Sequence, residues 1–181
     1  VGFLNGITAK SEAEIKNTTT GEIKKVVTNP ITNYNAIVID QALKNNSSLT
    51  FINNSVLRNG IDYDANLTAL LYRWYNKKRT YSMYFKKAVS QKYYSDKENQ
   101  FGHQYYAFLG KVSGKFQGGI TTSLLDDKFD NNDFGYLSRN NQLLFRTEVS
   151  YTENAPKKTF SSYRFYANHQ RTYYHSLLEK E

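Results

Sequence analysis

The sequence predicts an all-β chain, an antiparallel meander of long strands, and three observations carry that prediction. Apolar side chains recur at every second position in run after run. The runs are joined mostly by short polar, Asn- or Gly-containing connections. No convincing amphipathic helix comes between them, so a meander fits better than alternating β and α units. About nine strand-like runs can be traced through the 181 residues.

Val1 to Thr8 opens the series. The stretch 9–31 reads as a long hairpin loop: SEAEI could begin a helix, but TTTGEIKK breaks it, and Lys24 to Thr28 could extend a flanking strand. Asn33 to Ala42 places Tyr34, Ala36 and Val38 on one face, with Ile37 and Ile39 on the other. Ser47 to Leu57 alternates Leu49 and Phe51 against Ile52 and Val56, and Asn59 and Gly60 then signal a turn. Asp64 to Tyr75 sets Ala65, Leu67, Ala69 and Leu71 against Leu70, Tyr72 and Trp74. Tyr81 to Tyr93 puts Tyr81, Met83, Phe85 and Val89 on one face, interrupted by Lys87, while Ser82, Lys86, Ser90 and Lys92 share the other.

Phe101 to Val112 and Phe116 to Asp126 follow, the second carrying the pair Gly118 and Gly119, which could admit curvature or a bulge. A polar, Asp- and Asn-rich loop at 126–141 precedes Gln142 to Thr152 and Thr159 to Tyr173. Pro156 falls between these last two runs, where a missing backbone donor is harmless. The closing HSLLEKE fits either a strand extension or a frayed end.

Composition removes several function classes. The chain has no cysteine, which excludes disulfides, a thiol nucleophile and thiolate metal sites. No run approaches the ~18 apolar residues of a transmembrane helix, whereas a transmembrane strand needs only about 9–11 alternating residues. VGFLNGIT shows neither a basic nor an apolar leader region, so no signal peptide is expected in this stretch. A net charge of +8 permits anionic partners. Sixteen tyrosines in a polar chain suggest rings at boundaries between apolar and wet surroundings.

Candidate chemistry is sparse. No Gly-x-Ser-x-Gly elbow, HExxH or phosphate loop occurs, so no catalytic residue, enzyme activity or cofactor is assigned. His103, His169 and His175 are far apart and have no spacing that would bring them together. Asp126, Asp127, Asp130 and Asp133 offer hard oxygen ligands without the EF-hand spacing, and no metal is expected. Lys77, Lys78 and Arg79 beside aromatics suit a membrane rim as well as a phosphate surface, and nucleic acid is not expected.

Alternation with one apolar face fits either a soluble sandwich or an outer-membrane barrel. Run lengths of 10 or more residues favour the barrel over globular strands of about 5–6. So do aromatics at the run ends: Trp74, Tyr75, Tyr81, Tyr93, Tyr94, Tyr173 and Tyr174 stand where interfacial girdles would. Lys86, Arg146, Glu148 and Arg164 lie on the face opposite most apolar positions, which a wet lumen or bulk solvent would solvate.

A family likeness enters through KFDNNDFGYLSRNNQ, Lys128 to Gln142. The order Asn132, Asp133, Phe134, Gly135, Tyr136, then Leu137, Ser138, Arg139, Asn140 and Asn141 resembles the loop signature of a Bacteroidetes outer-membrane β-barrel family, domain of unknown function 5916. Members often carry an upstream domain like a family 9 carbohydrate-binding module. The resemblance extends over essentially the whole chain, with VGFLNGIT resembling a barrel strand and the segment from Asn33 to Asn59 a hairpin.

It implies that residues 1–181 are a section of a transmembrane β-barrel in the bacterial outer membrane, with the motif residues structural rather than catalytic. The expected partners are membrane lipid, envelope subunits or missing strands of the same barrel, and a glycan or other polar solute. Those loop residues have a local reading too: Asn and Asp make turn hydrogen bonds, Gly135 can take positive φ, and Phe134 or Tyr136 can anchor the loop. The competing expectation is a soluble β-sandwich that binds carbohydrate or protein.

Overall fold

The computed structural model describes residues 1–60, 62–155 and 158–178. The chain is all-β and antiparallel. Among the described residues eleven strands are formed: β1 (Gly2–Thr8), β2 (Ser11–Lys16), β3 (Ile23–Asn29), β4 (Thr32–Ala42), β5 (Ser48–Arg58), β6 (Asp64–Tyr75), β7 (Tyr81–Tyr93), β8 (Gln100–Lys111), β9 (Phe116–Leu125), β10 (Gln142–Glu153) and β11 (Tyr163–Tyr174). One helical turn, α1 (His175–Leu178), follows β11, where the sequence left a strand extension or a frayed end open. Pro156 lies outside the described residues.

Nine strands form one sheet in the order β1-β4-β5-β6-β7-β8-β9-β10-β11. The stretch at 9–31 holds a hairpin of its own, β2 paired with β3, and Lys24 to Thr28 extends neither β1 nor β4. The Thr18–Gly21 connection explains why this region looks loop-like in sequence: Asn17 Oδ1 accepts from the Thr19 and Thr20 amides, and Gly21 takes φ 76°.

Connections leave the two ends of the sheet alternately, because each strand reverses the last, and the two longest share one end. The 9–31 hairpin and connections 59–63, 94–99 and 126–141 share the long-loop end; 43–47, 76–80, 112–115 and 154–162 share the opposite end. At 76–80, Asn76 organises the turn, its side-chain oxygen accepting from the Thr80 and Tyr81 amides at 2.7 and 3.1 Å. Arg79 completes that turn at φ 51°.

The strands are staggered. One straight row of paired residues runs Ile39, Phe51, Leu70, Lys87, Tyr105, Leu124, Leu143, Tyr173. It begins three residues from one end of β4 and finishes one residue from the opposite end of β11. The drift is about one residue per strand. With ~3.3 Å rise per residue and ~4.8 Å between strands, this drift corresponds to an inclination of about 35°.

Register separates the two faces completely. One face carries Val56, Ala65, Ala69, Lys86, Ala88, Ser90, Gln104, Tyr106, Thr121 and Arg146; loop 126–141 folds onto it. The other is bare. Phe51, Leu70, Phe85, Leu109, Ile120 and Phe145 are exposed there, and no second sheet covers them among the described residues. Among the described residues, the buried apolar ones are Val56, Ala65, Ala69, Ala88 and Phe129. A compact 21.0 kDa protein would expose about 9,000 Å², whereas this chain exposes 12922 Å². The excess is what a one-layer sheet without an opposing layer leaves uncovered.

Gly118 and Gly119 produce no bulge, since β9 stays in register with both neighbours. Their role is space: a Cβ on Gly119 would stand 2.5 Å from the Phe108 ring, and one on Gly118 would stand 2.8 Å from the Glu148 carbonyl oxygen.

Candidate functional site: a loop docked on one face of the sheet

Loop 126–141 is held at its base by Asp126. One carboxylate oxygen accepts from the His103 amide at 2.7 Å, and the other from the Lys128 amide. Phe129 then turns into the sheet and is buried against Ala69 and Ala88, with Ile52, Leu67, Leu71, Leu125 and Leu137 around it. The two alanines make room for the ring. Gly102 makes room for the backbone, because a Cβ there would overlap the Phe129 nitrogen and Cα.

Two ion pairs fix the rest. Lys92 reaches Asp130 at 2.6 Å, and the Asp130 amide donates to Ser90 Oγ at 3.0 Å. Arg58 meets Asp133 at 2.5 Å, and Tyr63 Oη donates to the same carboxylate. Tyr63 is also flanked by cations, with Arg58 and Lys92 each 4.7 Å from its ring centre, and it lies 5.1 Å from the Tyr94 ring. Burial first, and then the Asp133 charge, raise the Tyr63 phenol above its usual value, so it remains a donor at neutral pH. For Asp130, burial opposes ionisation most, yet the Lys92 hydrogen bond, the Asn132 donors and the Lys92 charge together keep its carboxyl below the usual value.

The motif residues divide by task. Asn132 stitches the loop to itself, donating to Asp130 Oδ1 and accepting from the Leu137 amide at 2.9 Å. Asn140 donates to the carbonyls of Asp127 and Phe129. Asn141 takes φ 54° and bonds Ser176 through both its side-chain atoms, tying the loop to α1. Phe134 is half-buried in a groove with Leu4, Tyr34, Ala36 and Asn54.

Of the local expectations, the one at Gly135 fails, and of the alternatives Phe134 or Tyr136 it is Phe134 that packs. Gly135 does not adopt positive φ, and a Cβ there would meet open space. Tyr136 is 90% exposed and anchors nothing. Arg139 is exposed as well. The deepest anchor, Phe129, lies inside the segment 128–142 but ahead of the residues Asn132 to Asn141 that carry the likeness, and nothing in local spacing sets it apart from the other rings.

The run-end aromatics part company by register. Trp74 and Tyr81, near the short-turn end, and Tyr93 and Tyr173, near the long-loop end, stand on the bare face. Tyr75 and Tyr174 stand on the loop-bearing face, and Tyr94 falls after β7 beside Tyr63. His103 and His169 sit on β8 and β11, with two strands between them, and His175 begins α1.

The bare face is not uniformly apolar. Asn5 donates to Asn33 and Asn35 at 2.6 and 2.7 Å, and Asn53 donates to Asn66 and Thr68 at 2.8 and 2.9 Å. Lys87 stands mid-strand, 5.4 Å from the Tyr105 ring centre.

The model of the family described as "Domain of unknown function (DUF5916)" matches residues 1–180. The chain belongs to that family. The docked loop and its ion pairs are therefore features of a DUF5916 domain, and the signature at 128–142 lies inside the matched region. No curated protein and no solved structure matches the chain.

Proposed function

We propose that this DUF5916 chain forms part of the wall of a transmembrane β-barrel in the bacterial outer membrane, of the kind expected in Bacteroidetes. The bare face meets lipid and the loop-bearing face lines the lumen. Loop 126–141 narrows the lumen at the long-loop end, which faces the exterior. The role is passage or surface docking of polar solutes, glycans included, with an upstream carbohydrate-binding module and envelope subunits as the partners to look for. It is a structural and transport role rather than an enzymatic one.

The observation that carries this reading is the uncovered apolar face, with Phe51, Phe85, Leu109, Ile120 and Phe145 exposed over a sheet whose other face holds most of the charge. The stagger supports it, since about 35° of inclination falls at the lower edge of the ~35–45° of outer-membrane barrels. A second reading, a soluble sandwich whose partner sheet covers the same face, is favoured by Lys87 and the Asn pairs on that face.

Lipid contact separates the two. In a Trp-free background, Leu109→Trp and Thr121→Trp place one indole on each face. Brominated acyl chains quench the first and spare the second if the wall reading holds. Equal, weak quenching at both positions rejects it.

A further inference from the structure

Below the docked loop, the same face forms an open trough of about 660 Å³, lined by Arg73, Ser82, Tyr84, Lys86, Gln104 and Tyr106. Its charge is one-sided. Two cations line it, and no carboxylate does among the described residues. The Lys86 side chain makes neither a hydrogen bond nor an ion pair among the described residues, although every cation that holds loop 126–141 has a carboxylate partner. Arg73 faces the Tyr84 ring at 5.7 Å, and Tyr84 meets Tyr106 edge-on at 5.5 Å. Arg73 is paired straight across from Tyr84, which puts Lys86 at the diagonal position, within reach of one shared anion. The trough thus combines an unpaired positive charge, ring faces, and the amide and hydroxyl groups of Gln104, Ser82 and the tyrosines.

We propose that this trough is a binding site for a sugar acid, a pyranose ring bearing a carboxylate. The carboxylate sits between Lys86 and Arg73, where two cations without acidic partners supply charge-assisted hydrogen bonds. The ring lies on Tyr84 and Tyr106, and its hydroxyls reach Gln104 and Ser82. A neutral sugar would leave both cations unmatched, and a bare inorganic anion would leave the rings unused. The site goes beyond the proposed wall role, and binding is read by calorimetry while lipid contact is read separately by flotation.

The test is calorimetry on the full-length protein in detergent with sodium glucuronate, glucose and inorganic phosphate. Glucuronate binds at least 10-fold more tightly than either of the others. Lys86→Met and Arg73→Gln each weaken it at least 10-fold, while Lys86→Arg retains binding and Arg146→Gln, outside the trough, leaves it unchanged. Circular dichroism confirms that each variant keeps its β signal. Equal affinity for glucose, equal affinity for phosphate, or undiminished binding by folded Lys86→Met overturns the assignment. Flotation of the protein with vesicles reports the wall reading independently.

Discussion

Phe129 illustrates how one residue decides the placement of a whole loop. Its ring fills a hollow made by alanines, so Phe129→Ala should cost the docked loop about 3–5 kcal/mol, read as faster amide exchange confined to residues 126–141. Gly102→Val should release the same loop by steric overlap, with the sheet amides unchanged. Exchange that rises equally across β5 to β10 would show instead that the loop is integral to the sheet. Lys87 offers the opposite case. On a lipid-facing wall a mid-strand lysine costs about 2–4 kcal/mol, lessened where its amine reaches the interface, so Lys87→Leu should raise stability against denaturant in vesicles. A loss of stability would mean that a protein partner pairs with that amine. Lys87 was visible in sequence as an interruption of an apolar stripe. The anchoring role of Phe129 was not, because the ring's partners lie at Ala69 and Ala88, far away in the chain.

At the scale of the element, loop 126–141 is held by carboxylates and should respond to acid. The Asp130 pKa is lowered in the docked state, so its contribution is fully present above the ordinary value of 3.8 and disappears as pH falls through the lower, docked value. Limited proteolysis across acidic pH should find the loop protected at neutral pH and cleaved in strong acid, and Asp130→Asn should flatten that dependence. Protection that persists unchanged in acid would place the hold in Phe129 alone. Tyr63→Phe removes one hydrogen bond to Asp133 and should loosen the loop by about 1 kcal/mol. The sequence showed the loop's limits and its turn-forming Asn and Asp residues, since those act locally. Arg58 and Asp133 are separated by 75 positions, and no spacing rule links them.

For the whole molecule, the parity of the meander limits how it can be completed. Nine antiparallel strands leave β1 and β11 running in the same direction, each with one edge unpaired within the sheet. Direct closure of β1 on β11 would have to be parallel, and open backbone is not tolerated in hydrocarbon. An odd number of additional antiparallel strands, or a partner edge, completes a wall of this kind. The absence of cysteine makes this testable. Cysteines at Leu109 and Ile120, which face each other across β8 and β9, should cross-link on oxidation, whereas cysteines at Phe3 and Phe165 should not. Efficient cross-linking of the second pair within one chain would show that the sheet closes on itself.

The sequence by itself determined the nine strands of the main sheet and the two-faced character of nearly all of them, though not β2 and β3, because alternation is a property of each residue and its immediate neighbours. It also marked the turns at Asn59–Gly60, where Gly60 takes φ 125°, and at 76–80, where the Asn76 side chain acts on its own turn's backbone. Tertiary structure alone decided which face the 126–141 loop covers, how far the strands are staggered, and that Lys86 and Arg73 share a trough without an acid. Those depend on pairings between segments tens of residues apart, and period-two patterning is the same whatever lies across from it.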